Sequence, residues 1–428
     1  MKNKFKKLSQ ETQDFLKVIS SLASKMNVSV YLVGGVVRDM MIGKGHFDLD
    51  ILVEGDAIAF AKKVSDHYDL SCKKHHAFGT ATVYFENYKI DFATARKETY
   101  SKSGALPKVK ASTLQDDLAR RDFTINAMAV SLNKNDYGKI IDLYGGQKDL
   151  KASLIRVLHD QSFMDDPTRI FRAIRFEQRL SFSLEKNTLK LLKAAVKNNA
   201  LALVNPHRIR EELILLLSEN IPDRVIKRVS SLLGLNFIAK GLILKPAALT
   251  LITEISKVLK FYDRKFKKNR VLKTWILHLA ALIIDLPLKS VEGFLEDFGF
   301  KKGERIIILS IKENYLKIKK LNAKTKPHVI YQTFDPLSFE TIVFFYASFP
   351  KGSVRKQIED FLDDLVHVRV LIKGNDLKCL GITPFSIYNE LLEKLLLAKM
   401  DNNLKTKEDE LEEVERIYAS IIPDIYKQ

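Results

Sequence analysis

Two aspartates one residue apart, Asp48 and Asp50, are the side chains of this chain best suited to binding metal. They lie in a predicted strand, FDLDILV, where alternate residues point to the same face. Two carboxylates on one face repel each other unless a cation lies between them, and Mg²⁺ prefers oxygen ligands. The pair therefore predicts a catalytic site for two Mg²⁺ ions. Asp91, on a neighbouring predicted strand, is a candidate third carboxylate; the alternative is that DLD only marks a strand end.

A glycine pair precedes the two aspartates. Gly34 and Gly35 let backbone amides approach a phosphate closely, and the guanidinium of Arg38 is suited to bidentate contact with phosphate oxygens. The segment matches neither the G-x-x-x-x-G-K-[ST] loop nor the dinucleotide fingerprint. A glycine turn, an arginine and an acidic pair together indicate machinery that transfers nucleotidyl groups.

A second polar cluster lies in RRDFTINAMA, residues 120–129. Arg121 is a candidate phosphate ligand, and Asp122 and Asn126 are candidates for binding the sugar hydroxyls. The structural alternative is that Asp122 caps the N-terminus of a helix, and this role is compatible with nucleotide binding.

A third cluster, SFMDDPTRIFRAIRFEQRL at 162–180, repeats charged residues every three positions: Asp166, Arg169, Arg172 and Arg175. We expect a helix with Pro167 in its first turn. An aspartate beside an arginine offers one acceptor and several donors, which complements the edge of cytosine or adenine and not that of uracil or guanine. The alternative is an ion-paired amphipathic helix. So many cations on one face favour nucleotide binding.

The periodicity of the chain predicts an α+β fold. A helix over 9–26, two strands, a helix over 57–68 and a hairpin around Asn87-Tyr88 form a small mixed sheet. Residues 96–116 are rich in Ser, Gly, Pro and Lys and predict a long loop. Helical periodicity dominates beyond residue 150. We expect three regions: a catalytic head at 1–150, a helical neck that recognises the base at 151–222, and a helical body and tail at 223–428.

The amino-acid composition limits the classes of partner and the cellular location that we expect. Lys and Arg number 70 against 52 Asp and Glu, a net charge of +18, which favours a polyanion such as nucleic acid; a generally basic surface is the alternative. Cys72 and Cys379 imply neither a disulfide framework nor a zinc site. No apolar segment follows the basic start, and the stretch 275–288 is too short to span a bilayer. We expect a cytoplasmic protein with no membrane association.

Six strings in this order resemble the bacterial tRNA nucleotidyltransferase and poly(A) polymerase family: LVGGVVRD, FDLD, ARRDFTINAMA, DLYGG, DDPTRIFRAIRF and NPHRIREEL. The resemblance implies a polymerase-β-like head and the addition of CCA, or part of it, to tRNA 3′ ends from CTP and ATP. It further implies that Asp48 and Asp50 bind the metals and that Gly35, Arg38 and Arg121 bind the nucleotide. Asp166 and Arg169 would then read the base, with phosphate and base support from Arg172 and Arg175. No obligate protein partner is evident, and Arg208 is expected to steady the site from the neck.

Several activities remain open within and beyond this resemblance. Full CCA addition competes with A-only or CC-only addition, and the 96–116 segment is a candidate gate between C and A. Poly(A) synthesis is disfavoured, because its enzymes usually carry a G-[RK]-R-F-R run where this chain has CKKHHAFGTATVYF. A non-catalytic RNA-binding protein and a metal phosphohydrolase are the remaining alternatives. Intact metal and RRD motifs argue against the former, and the absence of a second His-Asp set argues against the latter.

Overall fold

The structure is a computed structural model that describes residues 5, 9–43, 49–85, 88–99, 103–265, 271–402 and 404–425. These residues form two compact units, Met1–Ile243 and Leu244–Gln428. The predicted head and neck both belong to the first unit. The three-region division at residues 150 and 222 stays a prediction.

The first half of the first unit is a mixed sheet with helices. Its elements are α1 (Gln10–Met26), β1 (Ser29–Val33), α2 (Gly35–Ile42), β2 (Leu49–Glu54), α3 (Ala57–Tyr68), β3 (Ser71–His75), β4 (Thr80–Tyr84), β5 (Lys89–Thr94), β6 (Arg96–Thr99), β7 (Lys108–Ala111), α4 (Leu114–Ala119), β8 (Met128–Ser131) and β9 (Ile140–Asp142). Seven strands form one sheet in the order β3-β4-β5-β2-β1-β8-β9. Only β2 and β5 pair in parallel; the other neighbours are antiparallel. The predicted mixed sheet is confirmed.

Opposite faces of this sheet carry different helices. On one face Phe60 of α3 packs against Phe92 of β5, with ring centroids 6.0 Å apart. On the other face Leu114 and Leu118 of α4 join a buried cluster with strand residues such as Leu52. Because strand side chains alternate, Asp50 lies on the same face as Leu52, the face that α4 covers.

The predicted hairpin is also confirmed: β4 and β5 pair antiparallel, although Asn87 lies outside the described residues. The prediction of an irregular loop over 96–116 is wrong. Residues 96–99 and 108–111 pair as a two-stranded antiparallel hairpin, and α4 begins at Leu114. Charged and apolar residues alternate in KVKA but not in RKET, and neither strand has a buried residue, so the buried apolar face that makes a strand recognisable is missing.

The second half of the first unit is mainly helical. Its elements are α5 (Gly146–Ala152), β10 (Leu154–Ile155), α6 (Ser162–Asp165), α7 (Arg169–Leu180), β11 (Ser183–Leu184), α8 (Lys186–Lys197), α9 (Pro206–Leu217) and α10 (Pro222–Leu233). The two short strands pair in parallel. Pro167 is not in the first turn of α7, because the helix begins two residues later. Asp166 Oδ1 instead accepts hydrogen bonds from the Thr168 amide (3.1 Å) and hydroxyl (2.7 Å), which form a turn before the helix.

The described part of the second unit is helical. It contains α11 (Pro246–Lys265), α12 (Thr274–Ile283), α13 (Leu288–Asp297), α14 (Lys302–Lys319), α15 (Pro327–Phe334), α16 (Phe339–Ser348), α17 (Ser353–Asp363), α18 (Gly374–Cys379), α19 (Tyr388–Asn402) and α20 (Lys407–Ile425). The last nine of the ten residues of α12, Trp275 to Ile283, are all buried. Among the described residues, no helix combines the length and apolarity that crossing a bilayer requires. The α+β fold with a helical remainder is confirmed.

Candidate active site

A cavity of about 500 Å³ lies in the first unit where the sheet, α4 and α7 meet. Most of its lining residues are charged: it contains seven arginines and four carboxylates. The lining residues are Gly34, Gly35, Arg38, Asp50, Glu98, Pro107, Arg120, Arg121, Asp122, Asn126, Asp166, Arg169, Arg172, Phe176, Arg179 and Arg208. The excess of cations suits an anionic ligand such as a nucleoside triphosphate.

The glycine pair connects β1 to α2 at the wall of this cavity. Gly34 has φ +75° and ψ −132°, a conformation that residues with a Cβ avoid. A Cβ at Gly34 would also lie 2.5 Å from Nη1 of Arg121. Arg121 can therefore reach the turn only because residue 34 is glycine. The eight-residue helix α2 begins here, so its first amides and the Arg121 guanidinium lie around the same point.

Arg38 is buried, and all three of its guanidinium nitrogens have protein partners. Nη1 donates to Asn126 Oδ1 at 2.6 Å, while Nε and Nη2 donate to the Asp39 carboxylate at 3.0 and 2.9 Å. The guanidinium also lies 5.1 Å from the ring centroid of Phe176. Arg38 therefore holds Asn126 and joins α2 to α7, and its predicted contact with phosphate stays a prediction.

Asp122 links the RRD segment to α7. Its carboxylate accepts from the Phe123 amide at 2.8 Å, from Asn126 Nδ2 at 2.9 Å, and from Arg172 Nε and Nη2 at 2.9 and 2.6 Å. Burial by itself would raise the pKa of Asp122. The charge of Arg172 and the hydrogen bonds outweigh it, so the pKa lies below its ordinary value.

The alternative that Asp122 caps the N-terminus of a helix is wrong, because Asp122 does not occupy the N-cap position. The residues after it form a 3-10 turn, Thr124–Asn126, with Phe123 at its N-cap position and no side-chain cap bond. Asp122 binds its neighbours and Arg172 instead. This arrangement depends on contact with α7, fifty residues away, which no local pattern specifies.

The structure brings Asp166, Arg169 and Arg172 to the cavity and leaves Arg175 out of its lining. Each step of three residues rotates a side chain by about 60° backwards around a helix, so a run of such steps leaves the face on which it began. Arg175 lies 4.0 Å from Glu219 and packs beside Phe176. A direct role for Arg175 in nucleotide binding is therefore not supported by its position.

The side chains of Asp166 and Arg169 bind other groups, although the Arg169 amide donates to the Asp166 carbonyl at 3.0 Å. Arg169 is buried and donates to Ser162 Oγ at 2.7 Å and to the carbonyl of Arg120 at 2.8 Å. Asp166 Oδ1 accepts from Arg208 Nη2 at 2.9 Å. Asp166 was predicted to read the base together with Arg169. The arginine whose side chain binds Asp166 is instead Arg208, from α9.

Of the three carboxylates predicted at the metal site, the structure describes Asp50 and Asp91. Asp50 is the exposed residue of β2 and lines the cavity. Its direct neighbour in the parallel pairing of β2 and β5 is Asp91, so both carboxylates lie on one face of the sheet. Asp48 lies outside the described residues.

This donor set fits a hard divalent cation, since carboxylate oxygens are what Mg²⁺ prefers. Asp91 has protein partners for both of its carboxylate oxygens. Its Oδ1 accepts from Thr82 Oγ1 at 2.6 Å, its Oδ2 pairs with Lys89 at 3.1 Å, and it is absent from the described lining of the cavity. No cluster of three or more metal-ligating side chains occurs within the described ranges. Asp48 and Asp50 remain the predicted metal ligands.

Sequence reasoning missed five lining residues: Glu98, Pro107, Arg120, Phe176 and Arg179. A signal for two of them was available. Arg169, Arg172, Phe176 and Arg179 follow the spacing 3-4-3, which keeps side chains on one helix face better than three successive steps of three. Glu98 and Pro107 belong to the β6–β7 hairpin, so only its folding brings them to the cavity.

Comparison with known proteins agrees with the geometry. The model of the poly(A) polymerase head domain matches residues 30–156. An A-adding tRNA nucleotidyltransferase of Halalkalibacterium halodurans is 32% identical over 426 residues, which cover 95% of this chain and 92% of that protein. The chain belongs to the tRNA nucleotidyltransferase family.

A second relative and a solved structure also belong to tRNA nucleotidyltransferases. An A-adding tRNA nucleotidyltransferase of Geobacter sulfurreducens is 36% identical over 412 residues, covering 94% of this chain but only 47% of that longer protein. A solved complex of a CCA-adding enzyme with ATP superposes with a TM-score of 0.78 at 29% identity, and the match covers 97% of both chains. The chain thus spans nearly the full length of some tRNA nucleotidyltransferases and about half of others.

Replacing Gly34 with alanine is expected to weaken ATP binding about tenfold and to lower the melting temperature of this protein. The new Cβ meets Arg121 and the backbone conformation becomes strained, a cost of about 1–3 kcal/mol. Calorimetric titration with ATP and thermal unfolding measure the two effects. Gly43→Ala is the matched control, because Gly43 follows the same helix at φ +80° and none of the described residues lies within 4 Å of its Cβ position. Equal ATP affinity of both variants would contradict the expectation.

Glu212, on α9 behind Arg172, is a buried carboxylate with an unbonded oxygen. Within the described residues its Oε2 has no hydrogen-bond partner, and Arg172 Nη1 lies 3.8 Å from Oε1. Burial raises the pKa of Glu212, and the charges of Arg172 and Arg175 reduce this shift without cancelling it. Ionised Glu212 therefore costs stability at neutral pH.

We accordingly expect Glu212→Gln to raise the melting temperature at pH 7. Because the folded-state pKa is raised, wild-type stability from this group is complete below the ordinary glutamate pKa and declines as pH rises through the folded value. The advantage of Glu212→Gln should therefore shrink towards pH 4 and vanish where the wild-type carboxyl is protonated. Melting curves between pH 4 and 8 measure it, and an advantage that grows towards acid would be the wrong sign.

Proposed function

We propose that this protein transfers a nucleotidyl group from ATP or CTP to the 3′ end of tRNA without a nucleic-acid template. One observation carries the proposal: a single cavity is lined by the glycine turn, the exposed Asp50 and the base-reading candidate Asp166. The glycine turn and Asp166 are more than a hundred residues apart in the sequence, so only folding brings them together. A structural ion-pair network would not require a strained glycine turn beside an exposed carboxylate.

In the proposed reaction the terminal ribose hydroxyl of tRNA attacks the α-phosphate, and pyrophosphate leaves. The amides at the start of α2 and the Arg121 guanidinium bind the triphosphate, which orients the α-phosphate towards the face of β2. Mg²⁺ held by Asp48 and Asp50 would neutralise phosphate charge and lower the pKa of the attacking hydroxyl. Asp122 and Asn126 bind the sugar, and positioning supplies much of the acceleration.

Selection of the base is proposed to rest on Asp166 with Arg169. Asp166 offers its second carboxylate oxygen, Oδ2, as an acceptor for the amino group that cytosine and adenine share. Arg208 and Thr168 fix Oδ1 and so hold the orientation of the carboxylate. Uracil and guanine present an acceptor at that place and would face a carboxylate oxygen.

The finer proposal is that the added nucleotide is A. The relatives from Halalkalibacterium and Geobacter, which match 95% and 94% of this chain, both carry the name A-adding, and the match covers 92% of the first protein and 47% of the second. Full CCA addition is the alternative, since a CCA-adding enzyme superposes along 97% of the chain. The helical region from residue 223 onwards is proposed to bind the tRNA body through charge and shape.

The decisive experiment supplies purified protein and Mg²⁺ with labelled ATP or CTP and three tRNAs, which end before the first C, before the second C, and before A. A-only addition predicts label from ATP on the third tRNA and none from CTP on the first two. Label from CTP on the first two would establish CCA or CC addition instead. Long ladders of A would indicate poly(A) synthesis, and no label on any tRNA would overturn the proposed function.

A further inference from the structure

Asp117, on α4, is a fully buried carboxylate that binds two consecutive arginines of the cavity. Its Oδ1 accepts from Arg120 Nε at 2.9 Å and Nη2 at 2.7 Å. Its Oδ2 accepts from Arg121 Nε at 3.2 Å and Nη2 at 2.9 Å. The Asp117 side chain has no exposed surface, whereas those of Arg120 and Arg121 are about one-fifth exposed, at 20% and 18%.

We infer that Asp117 is a positioning residue for the triphosphate: it fixes both guanidiniums, although no ligand can reach it. This inference rests on the proposed function. Two hydrogen bonds from each arginine, with one oxygen of the buried carboxylate for each guanidinium, remove most of the freedom of two long side chains before a ligand arrives. Without the carboxylate, two adjacent guanidiniums would repel each other and spread apart.

The remaining contacts of these arginines show what the placement achieves. Arg121 is held against Gly34, where α2 begins, and its Nη1 donates to the Asn126 carbonyl at 3.3 Å. Arg120 Nη1 donates to Glu98 Oε1 of the β6–β7 hairpin at 2.9 Å. Asp117 thus connects the glycine turn on one side of the cavity to the hairpin on the other.

The position of Arg121 determines which part of the ligand should be affected. Arg121 lies at the helix start that is proposed to hold the phosphates, and the Asp117 cluster (Asp117, Arg120 and Arg121) is separate from the Asp166–Arg208 pair proposed for the base. Loss of Asp117 should weaken ATP and CTP equally and should leave adenosine unaffected. A merely structural role would not discriminate between ligands with and without a triphosphate.

The test is calorimetric titration of full-length Asp117→Asn with ATP, CTP and adenosine, with Mg²⁺ and without tRNA, so that no transfer occurs. We expect the Kd for both triphosphates to rise about tenfold and their ratio to stay constant. Glu177→Gln is the matched control, because buried Glu177 accepts bidentate bonds from Arg228 at 2.6 and 2.9 Å outside the cavity lining. It should lose comparable stability and keep the wild-type Kd within twofold.

Asp117→Glu keeps the charge and displaces it by one methylene, so it serves if Asp117→Asn does not fold. Its Kd for ATP should also rise, since both guanidiniums must move. A folded Asp117 variant that binds ATP within twofold of wild type overturns the inference. Wild-type protein that binds neither triphosphate overturns the proposed function instead, so the two failures are distinct.

Discussion

Replacing Asp50 with asparagine is expected to lower the rate of nucleotidyl transfer by about a thousandfold while leaving the fold intact. The exposed carboxylate on β2 lines the cavity and is one of the two predicted metal ligands. Losing one charged oxygen from a Mg²⁺ site removes several kcal/mol of transition-state stabilisation, and each 1.4 kcal/mol corresponds to a factor of ten. Single-turnover transfer with saturating ATP and tRNA measures the effect.

The control for Asp50→Asn is Asp56→Asn. Asp56 caps α3 through bonds to the Ile58 and Ala59 amides and does not line the cavity, so its amide should retain the cap and full activity. Asp91→Asn then separates two interpretations of the neighbouring strand. A thousandfold loss would show that Asp91 also binds metal, whereas a loss below tenfold would show that its bonds to Thr82 and Lys89 are its role. Undiminished transfer by Asp50→Asn would exclude the metal site at β2.

Replacing Asp122 with alanine is expected to produce the largest loss of stability among single changes at the site. The change removes both hydrogen bonds to Arg172, whose guanidinium is only 33% exposed, and leaves it with Glu212, 3.8 Å away, as its remaining carboxylate neighbour. Breaking a buried ion pair in this way costs about 3–5 kcal/mol of folding free energy. Because Arg172 is partly exposed, we expect a loss of about 3 kcal/mol. For a unit of this size that corresponds to a fall in melting temperature of roughly 6–12 °C.

The loss should depend on pH in a defined direction. Because the pKa of Asp122 is lowered in the folded state, its stabilisation is complete above the ordinary aspartate pKa and disappears as pH falls through the folded value. Wild type and Asp122→Ala should therefore differ most near pH 7 and converge in acid. Glu211→Gln is the control, since the Arg210–Glu211 pair has an exposed carboxylate, at 63%, and should contribute little. A constant difference down to pH 2 would contradict the electrostatic explanation.

The elements predicted well were those whose hydrophobic periodicity is strong. The helix at 57–68 has the predicted bounds, and β1, β4 and β5 lie where alternation and turn residues placed them. The β6–β7 hairpin was not predicted, because its strands are exposed and charged and their pairing stabilises them without a buried face. Its importance to the cavity, through Glu98, depends on a bond to Arg120 that joins distant parts of the chain.

Residue types and spacing by themselves predicted the chemistry of this chain. An acidic pair beside a glycine turn, and arginines repeated along one segment, predict residues for nucleotidyl transfer because metal and phosphate binding require such side chains. The tertiary structure decided which of these residues meet. Arg175 turns away from the cavity since a repeat of three drifts around a helix, and Arg208 takes the place beside Asp166. Asp117 binds two cavity arginines from within the core, because a buried carboxylate can pair only with the charges that folding brings to it.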